Sequence, residues 1–320
     1  MKRVGIVTSG GDAPGMNAAI RGLVRLSALE GFEVLGFERG WEGLLTNETS
    51  HLGPRSVGGI LNVGGTILHT TRSPRFKQQN NLKHAARILA QNRIDCLFVI
   101  GGNGSFEGAL ELSRHTDVQL IGLPASIDND VYGTDETIGF DTAVNTAVTE
   151  IDKIRDTALS HERAFIVEVM GRTRGFLALT VGLNVGAEVI LVPEVKTPMK
   201  QIVRVLTENA EKGKKSSIIV AAEGVGDTRK LAAEIEKSEK IEVRLTVLGY
   251  VQRGGSPTAR SRTLAFTFAE KAVDLLSQNS GNRIVVLKDG EVTSVSLEET
   301  CSHRKRLDLS LLKLAERLST

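Results

Sequence analysis

Short apolar runs alternate along the chain with longer segments in which apolar residues recur at helical spacing. In the segment 142–154, for example, Val144, Ala147, Val148 and Ile151 share one helical face. The pattern predicts helices over residues 17–29, 83–91, 106–113, 142–154, 199–212 and 231–237. It predicts buried strands over residues 4–8, 34–37, 96–100, 120–124, 165–169, 189–192, 217–222 and 284–287.

This alternation of strands and helices is typical of an α/β fold, in which a mainly parallel sheet is buried on both faces. A length of 320 residues is enough for two such domains. The glycine-rich segments 133–139 and 252–256 are the candidate crossing points between them. Because ligands of parallel sheets bind beyond the carboxyl ends of the strands, the chemistry is expected in the loops that follow the strands.

Composition argues against several classes of partner. The net charge of +2 gives no reason to expect nucleic acid or a membrane surface, and no segment approaches the roughly 20 apolar residues of a membrane span. The amino-terminal residues lack the apolar stretch of a signal peptide. Cys96 and Cys301 have no metal-ligand spacing, and Cys96 lies in a predicted strand, so a reducing cytoplasm is expected rather than a disulfide scaffold.

Two loops that follow predicted strands are rich in glycine. The first, residues 8–17, reads TSGGDAPGMN, and the second, residues 101–105, reads GGNGS. Small residues would let backbone amides approach a ligand, and the helix that follows each loop favours an anion there. Neither loop matches the dinucleotide-binding or Walker pattern. Each alone could be a tight strand–helix turn, with Ser105 capping the second helix, but two such loops in one sheet favour a bound nucleotide.

A third loop, residues 124–130, reads PASIDND and carries two carboxylates. Asp128 could take a proton from an attacking hydroxyl, and Asp130 could hold Mg²⁺ directly or through water. A turn rich in Asp and Asn would explain the same residues without any chemistry, because these side chains satisfy backbone groups locally. Acidic groups beside a phosphate cradle nevertheless suggest phosphoryl transfer.

Arginines then accumulate in loops, at Arg72, Arg163, Arg172, Arg244 and Arg253. Isolated arginines are usually solvated. Arg172 in MGRTRG and Arg253 in QRGGSP differ, because their glycine neighbours would let a guanidinium and backbone amides bind one phosphate together. Glu223 ends a predicted strand, where it could bind sugar hydroxyls or pair with an arginine.

Taken together, these segments resemble the bacterial ATP-dependent 6-phosphofructokinase family nearly from end to end. The motifs occur in family order and at family spacing: TSGGDAPGMNAAIRG, GGT at residues 64–66, SIDND, GTDETIGFDTA, VEVMGR, VPE, GKK and VLGYVQRGGSP. The resemblance implies a homotetramer of two-domain subunits. Each subunit would have two Rossmann-like three-layer α/β domains with mainly parallel sheets and an active site in the cleft between them. The ATP-binding domain would comprise residues 1–138 plus 251–300, and the sugar-phosphate-binding domain residues 139–250 plus 301–320.

The resemblance also implies a reaction of glycolysis, the Mg²⁺-dependent transfer of the γ-phosphoryl group of ATP to the 1-hydroxyl of fructose 6-phosphate. Asp128 would be the base, Ser126 would support the transferred group, and Arg72 and Arg172 would stabilise the charge that spreads over it. Mg²⁺ would be held by Asn103 and Asp130. ATP would be bound by Gly11, Trp41 (near the base), Arg72, Ser73, Gly102, Asn103, Gly104 and Ser105. The sugar phosphate would be bound by Ser126, Ile127, Asp128, Arg163, Met170, Gly171, Arg172, Glu223, Arg244, Tyr250, Val251, Gln252 and Arg253.

Two further implications concern neighbouring subunits and the phosphoryl donor. Arg163 and Arg244 resemble family arginines that reach in from the adjacent subunit. Pyrophosphate users in the family typically carry Asp in place of Gly104 and Lys in place of Ala125, so the small residues favour ATP. An allosteric site for ADP or phosphoenolpyruvate between subunits is implied by Arg21, Arg25, Arg155, Glu188, Lys212 and Lys214, although the segment 54–59 departs from the family pattern.

Two functional positions depart from the family pattern as well. Asn103 stands where the family has the aspartate of GGDGS, which removes one negative charge beside the metal. Tyr250 stands where the family typically has a histidine near the 6-phosphate, and a phenol cannot become cationic near neutral pH. These departures leave two other hypotheses open. One is a non-catalytic relative that binds nucleotide or sugar phosphate as a regulator, and the other is a kinase that uses pyrophosphate or another sugar phosphate.

Overall fold

The computed structural model describes residues 2–239 and 242–319. The chain divides into two compact units: unit 1 is Met1–Thr142 with Arg253–Lys305, and unit 2 is Ala143–Gln252 with Arg306–Thr320. The boundaries follow Thr142, Gln252 and Lys305, where the sequence expectation placed them after residues 138, 250 and 300.

Within the described residues, one seven-stranded sheet forms in unit 1 and one four-stranded sheet in unit 2. The strands are β1 Arg3–Thr8, β2 Glu33–Phe37, β3 Thr49–His51, β4 Cys96–Gly101, β5 Gln119–Pro124, β6 Ala164–Val169, β7 Val189–Leu191, β8 Ser217–Ala222, β9 Val243–Val247, β10 Arg283–Lys288 and β11 Glu291–Ser296. The order in unit 1 is β11-β10-β5-β4-β1-β2-β3, and the order in unit 2 is β7-β8-β6-β9.

Helices connect most of the strands and cover both faces of a mainly parallel sheet, as the alternating pattern predicted. They are α1 Met16–Leu29, α2 Trp41–Thr46, α3 Gln79–Gln91, α4 Asn103–Ser113, α5 Phe140–His161, α6 Phe176–Asn184, α7 Met199–Glu211, α8 Thr228–Glu239, α9 Ala259–Ser277, α10 Leu297–Ser302 and α11 Leu309–Leu318. Short 3₁₀ turns lie at Pro74–Lys77, Glu223–Val225 and Gly249–Arg253.

Strand direction decides where the functional loops emerge. In unit 1, β10, β5, β4, β1 and β2 are parallel, and the edge strands β11 and β3 run antiparallel to their neighbours. In unit 2, β7, β8, β6 and β9 are all parallel. Because parallel strands end at the same edge, the loops after β1, β4 and β5 share one edge, and those after β6, β8 and β9 share another.

Each unit has its own apolar core. In unit 1, every residue of β4 is buried, and its side chains pack with Phe37 and Phe106 among others. In unit 2, Ile166, Leu191 and Ile219 from three adjacent strands pack against residues of the covering helices. Burial on both faces explains why these strands have continuous apolar sequences instead of alternating ones.

All the predicted strands and helices are present, with ends that shift by a few residues, and the α/β prediction is confirmed. The apolar pattern missed the edge strands β3, β9 and β11, whose side chains are largely half-buried or exposed. It also missed α2, α6, α9, α10 and α11. Sequences such as TSH in β3 and EVTSVS in β11 become strands because a neighbour offers a ladder to pair with.

Candidate active site

The two glycine-rich loops of unit 1 lie side by side because β1 and β4 are parallel neighbours. The amide of Ser9 donates to the carbonyl of Ile100 over 3.0 Å, and the hydroxyl of Ser105 donates to the carbonyl of Ser9 over 2.9 Å. A Cβ added at Gly101 would lie 2.4 Å from Ser105 Oγ and 2.6 Å from the carbonyl oxygen of Ser9. Gly101 is therefore the residue that permits this approach.

The hydroxyl of Ser105 links the loops and does not cap α4, contrary to the sequence expectation. Helix α4 begins at Asn103, and Gly102 is its N-cap residue, without a side-chain capping bond. The amide of Ser105 donates to the carbonyl of Gly102 over 3.0 Å, which leaves the amides of Asn103 and Gly104 in the first turn to an anion. Gly104 in this turn is exposed, and a Cβ added there would meet open space.

A third segment of unit 1 is tied to the first glycine loop. Thr70 Oγ1 donates to the carbonyl of Gly10 over 2.9 Å, and Thr8 Oγ1 donates to the carbonyl of His69 over 2.7 Å. Arg72 follows directly and is exposed at this edge. Its neighbour Ser73 donates to Glu42 Oε2 over 2.7 Å, so the hydroxyl predicted to bind ATP already has a partner.

Trp41 lies in the core of unit 1. Its side chain is 4% exposed, and its ring stacks on Phe76 with centroids 4.4 Å apart. This burial gives a nucleotide base little of the indole face to stack on. The role near the base that the resemblance implies for Trp41 stays a prediction.

The acidic loop between β5 and α5 carries Asp128, which is 7% exposed. The amide of Asp128 donates to Ser126 Oγ over 3.1 Å, so the hydroxyl expected beside the transferred group accepts one bond and keeps its own hydrogen. Ile127 is buried next to it. The Nδ2 atom of Asn103 donates to the carbonyl of Asp130 over 3.2 Å, so a hydrogen bond joins the GGNGS loop to the acidic loop.

Arg253 belongs to unit 1 and packs against the first glycine loop. A Cβ added at Gly11 would lie 3.2 Å from Arg253 Nη1, and the same nitrogen lies 3.7 Å from Asp12 Oδ1. The resemblance implied only a sugar-phosphate role for Arg253. In the structure, Arg253 lies beside the loop that is expected to hold ATP. Its guanidinium there favours the binding of a negatively charged group such as a phosphate.

In unit 2, a turn at the end of β6 presents Met170, Gly171 and Arg172. The amide of Arg172 donates to Glu223 Oε1 over 2.5 Å, and Glu223 follows β8, the parallel neighbour of β6. Gly171 has φ 132°, and a Cβ there would lie 2.6 Å from the carbonyl oxygen of Arg174. Arg172 itself has φ 53° and is exposed, so the turn holds the backbone and presents the guanidinium to solvent.

A small cavity of about 130 Å³ opens beside this turn, lined by Glu168, Val169, Met170, Glu223, Val247, Gly249 and Tyr250. Behind the lining, Gln252 is fully buried and joins two of these residues, because it accepts from the amide of Met170 over 3.4 Å and donates to the carbonyl of Gly249 over 3.0 Å. Tyr250 and Val251 are 79% and 55% exposed. Both residues can therefore reach a ligand or a neighbouring molecule at little desolvation cost.

Arg163 and Arg244 lie at the opposite edge of the same sheet. Arg163 precedes β6, whereas Met170 follows it, and Arg244 pairs with the second residue of β6. Both arginines form ion pairs with Glu242. A six-residue strand spans roughly 20 Å, so neither guanidinium shares the edge at which its own Arg172 stands.

The residues expected to bind an effector fall into two groups, one in each unit. In unit 1, Arg21 donates to the carbonyl of Val57 over 2.7 Å, and with Arg25 it lines a groove of about 350 Å³. In unit 2, the buried Glu188 forms an ion pair with Lys214 Nζ at 2.6 Å and also accepts from the amide of Ile218.

The other two residues of the unit 2 group, Arg155 and Lys212, lie near the same segment. Arg155 donates to the carbonyl of Val185, and Lys212 lines a cavity of about 300 Å³ that Glu188 also lines. The structure thus gathers all four cationic and acidic side chains of this unit around the segment before β7.

Sequence reasoning did not single out three residues that hold the acidic loop, namely Asn129, Thr137 and Lys305. Asn129 adopts φ 51°, and Asn is one of the few residues that tolerate this conformation, so the IDND motif contained a signal of strain. Lys305 lies in the polar run SHRKR, which gives no sign of burial.

A sequence model of the phosphofructokinase family matches residues 3–276. The chain is 49% identical over 321 residues to ATP-dependent 6-phosphofructokinase 1 of Thermus thermophilus, with 100% of each chain covered. It is 47% identical over 318 residues to the ATP-dependent 6-phosphofructokinase of Persephonella marina, with 98% of each chain covered.

Solved structures with the same architecture include a phosphofructokinase of Saccharomyces cerevisiae. That protein superimposes with a TM-score of 0.86 at 32% identity, and the match covers all of this chain and 47% of the yeast chain. A pyrophosphate-dependent phosphofructokinase of Marinobacter aquaeolei has a TM-score of 0.86 at 20% identity, over 97% of this chain and 86% of the other, which shows the shared fold. With its sheets, glycine loops and acidic loop in the expected places and a family match over most of its length, this chain belongs to the phosphofructokinase family.

Proposed function

We propose that this chain is an ATP-dependent 6-phosphofructokinase, which transfers the γ-phosphoryl group of ATP to the 1-hydroxyl of fructose 6-phosphate. The observation that carries the proposal is the position of Asp128. This buried carboxylate stands on a loop that a hydrogen bond from Asn103 joins to the GGNGS loop. A candidate base is thus built next to a candidate phosphate cradle.

In the proposed reaction, Asp128 accepts the proton of the 1-hydroxyl while that oxygen attacks the γ-phosphorus. The bond between the γ-phosphorus and the bridging oxygen breaks, and ADP leaves with that oxygen. The first-turn amides of α4, together with Arg72 and Arg172, stabilise the negative charge on the transferred group. Ser126 Oγ accepts from the amide of Asp128 and still has its own hydrogen to donate to a phosphoryl oxygen.

The oxygen atoms of Asp130 and Asn103 fit the Mg²⁺ that the family implies. Within residues 2–239 and 242–319, no cluster of three His, Cys, Asp or Glu side chains forms an all-protein metal cage, and Mg²⁺ bound to a nucleotide typically takes only one or two protein carboxylates. Asp130 would hold it together with the Oδ1 atom of Asn103, because the Nδ2 atom of that amide is used by the Asp130 carbonyl. When bound, Mg²⁺ would neutralise charge on the phosphate oxygens.

Two small residues support ATP as the donor. A Cβ at Gly104 would meet open space, and Ala125 is buried at the start of the acidic loop. Neither position carries the Asp or Lys expected of pyrophosphate users. The first turn of α4 consequently has room for a nucleoside triphosphate.

The sugar phosphate would occupy the edge of unit 2 formed by Met170, Gly171, Arg172 and Glu223, beside Tyr250. Arg163 and Arg244 stand roughly a strand length away at the other edge of their own sheet. In the proposed homotetramer these two arginines would serve a neighbouring subunit, and their distance from Arg172 of their own chain supports that role.

The proposal extends to regulation and location. The basic groups at Arg21 and Arg25 and at Arg155, Lys212 and Lys214 would bind ADP or phosphoenolpyruvate where subunits meet. Cys96 is buried and Cys301 half-buried, and both are free thiols, which suits a reducing cytoplasm. In the part of the chain that the structure describes, no helix is both long and apolar enough to span a bilayer.

A donor and acceptor panel tests this function. Purified protein is incubated with ATP or pyrophosphate, with fructose 6-phosphate or other sugar phosphates, across a range of Mg²⁺ concentrations. We expect turnover of roughly 1–100 s⁻¹ with ATP and fructose 6-phosphate. Intact oligomers that bind nucleotide or sugar phosphate without turnover would instead identify a regulator, and turnover with pyrophosphate alone would overturn the choice of donor.

A further inference from the structure

The loop that carries Asp128 and Asp130 leaves the sheet at the end of β5 and returns to it before α5. Its two ends are joined by backbone hydrogen bonds. The amide of Ser126 donates to the carbonyl of Ile138 over 3.0 Å, and the amide of Ile138 donates to the carbonyl of Pro124 over 2.9 Å. These bonds hold the two ends of the loop together. They do not reach the carboxylates, which lie further out.

The side chain of Asn129, between the two carboxylates, crosses the loop. Its Oδ1 atom accepts from the amide of Thr137 over 3.0 Å, and its Nδ2 atom donates to the carbonyl of Asp135 over 3.1 Å. Asn129 is 6% exposed and has φ 51°. Asn129 lies between Asp128 and Asp130 in the chain. Its left-handed backbone and its side-chain hydrogen bonds therefore set the directions in which the two carboxylate side chains point.

Lys305 reaches the same carbonyl from the segment after α10. Its Nζ atom donates to the carbonyl oxygen of Asp135 over 2.9 Å, so this oxygen accepts from both Asn129 and Lys305, one bond for each lone pair. Two residues earlier, the ring of His303 stacks on Tyr132 with centroids 4.9 Å apart. The segment 303–305 is therefore packed on the outer part of the acidic loop.

The surroundings of Lys305 combine burial with negative charge. Burial lowers the pKa of Lys305 to about 8, while the carboxylates of Asp135, Asp130 and Glu136 act in the opposite direction. The side chain of Asp135 is itself occupied, because its Oδ2 atom accepts from the amide of Asp289 over 2.8 Å. Lys305 is half-buried, and an ammonium held partly out of water is costly unless it is hydrogen-bonded or paired with opposite charge.

We propose that Lys305 is a positioning residue for the proposed phosphoryl transfer, acting through the Asp135 carbonyl and Asn129 to hold Asp128 and Asp130 in their reactive orientation. The inference rests on the proposed function. It assigns to a carboxyl-terminal segment, far away in the sequence, control over the candidate base and the candidate metal ligand. A misplacement of about 1 Å at a reacting group can cost roughly a hundredfold in rate, so even slight loosening of the loop would be measurable.

Two simpler roles make different predictions. If Lys305 only stabilises the fold, Lys305→Met lowers the free energy of unfolding, but the folded enzyme keeps its kcat. If Lys305 acts only through its charge near Asp130, its removal shifts the Mg²⁺ concentration needed for half-maximal rate without changing kcat at saturating Mg²⁺. A positioning role lowers kcat at saturating substrates and Mg²⁺, while the KM for fructose 6-phosphate changes little.

The test compares Lys305→Met with Lys305→Arg, which keeps a charged donor, and with Lys288→Met, which removes a lysine exposed at the end of β10. We expect Lys305→Met to lower kcat about tenfold or more, Lys305→Arg to recover most of that loss, and Lys288→Met to match the parent. The free energy of unfolding is measured for each by urea denaturation. An unchanged kcat in folded Lys305→Met, or an equal loss in Lys288→Met, would overturn the proposal.

Asn129→Gly provides a second test. Glycine adopts the positive φ readily, so this substitution removes only the hydrogen bonds of the Asn129 side chain. We expect it to lower kcat as well. We also expect the fold-decrease in kcat of the double variant with Lys305→Met to be much smaller than the product of the two single fold-decreases, because both residues act on one carbonyl. Fully independent losses would contradict the shared mechanism. A parent without turnover would instead refute the proposed function itself, so the two failures can be told apart.

Discussion

The acidic loop of unit 1 and the arginine turn of unit 2 hold their functional groups in opposite ways. Asp128 is 7% exposed, and hydrogen bonds from Asn103, Asn129 and Thr137 tie the loop around it. In unit 2, the backbone of Arg172 is bonded to Glu223, but its guanidinium is exposed, as is the ring of Tyr250.

Physical chemistry accounts for the difference. A general base works only if it is oriented within hydrogen-bonding distance of the proton that it takes, so a rigid and partly dry loop suits Asp128. An arginine that binds a phosphate is held at lower cost at the surface, because taking a charge out of water carries a large desolvation cost. Substitutions in the acidic loop should therefore alter kcat, and a substitution at the exposed Tyr250 should mainly alter affinity for the sugar phosphate.

The largest effect is expected for Asp128→Asn, which keeps the shape of the side chain but cannot accept the proton as a carboxylate does. We expect kcat to fall about 10²-fold to 10⁴-fold, the usual worth of a general base, while calorimetry shows fructose 6-phosphate bound about as tightly as in the parent. Activity within a few-fold of the parent would exclude Asp128 as the base and would remove the reason for the rigid loop.

Asn103→Asp should have an intermediate effect, because it trades one interaction for another. The added charge should lower the Mg²⁺ concentration for half-maximal rate several-fold. The lost Nδ2 bond to the Asp130 carbonyl should lower the free energy of unfolding by about 1 kcal/mol.

Asn103→Ala is the matched control for that exchange, since it loses the same bond without gaining a charge. It should reproduce the loss of stability and not the tighter metal dependence. An unchanged Mg²⁺ titration in Asn103→Asp would mean that residue 103 does not serve the metal, and unchanged stability in both variants would mean that the link between the loops contributes nothing.

The smallest effect is expected for Tyr250→His in the exposed group of unit 2. Histidine is cationic below its ordinary pKa of about 6.5, so the KM for fructose 6-phosphate should fall about twofold to fivefold at pH 6, the worth of one exposed ion pair. At pH 8 the imidazole is neutral, and the KM should match that of the parent. A drop in kcat in place of KM would break the contrast between the two units.

Much of the site could be predicted from the sequence because its residues follow strands. The glycine loops after β1 and β4, the acids after β5 and Arg172 after β6 are all local consequences of strand–loop–helix order in a parallel sheet. Ser105 shows the limit of such reasoning. A serine at the start of a helix suggests a cap, whereas the neighbouring strand offers its hydroxyl the carbonyl of Ser9.

The sequence by itself determined the α/β class, the family and the types of group available for phosphoryl transfer, because apolar periodicity and short motifs are encoded within a few residues of one another. Only the tertiary structure decided that Trp41 stacks on Phe76 in the core, that Arg253 lies against Gly11, and that Lys305 binds the acidic loop from 170 residues away. Such contacts depend on how distant segments pack, and a lysine in a polar run gives no local sign of the carbonyl that it will meet.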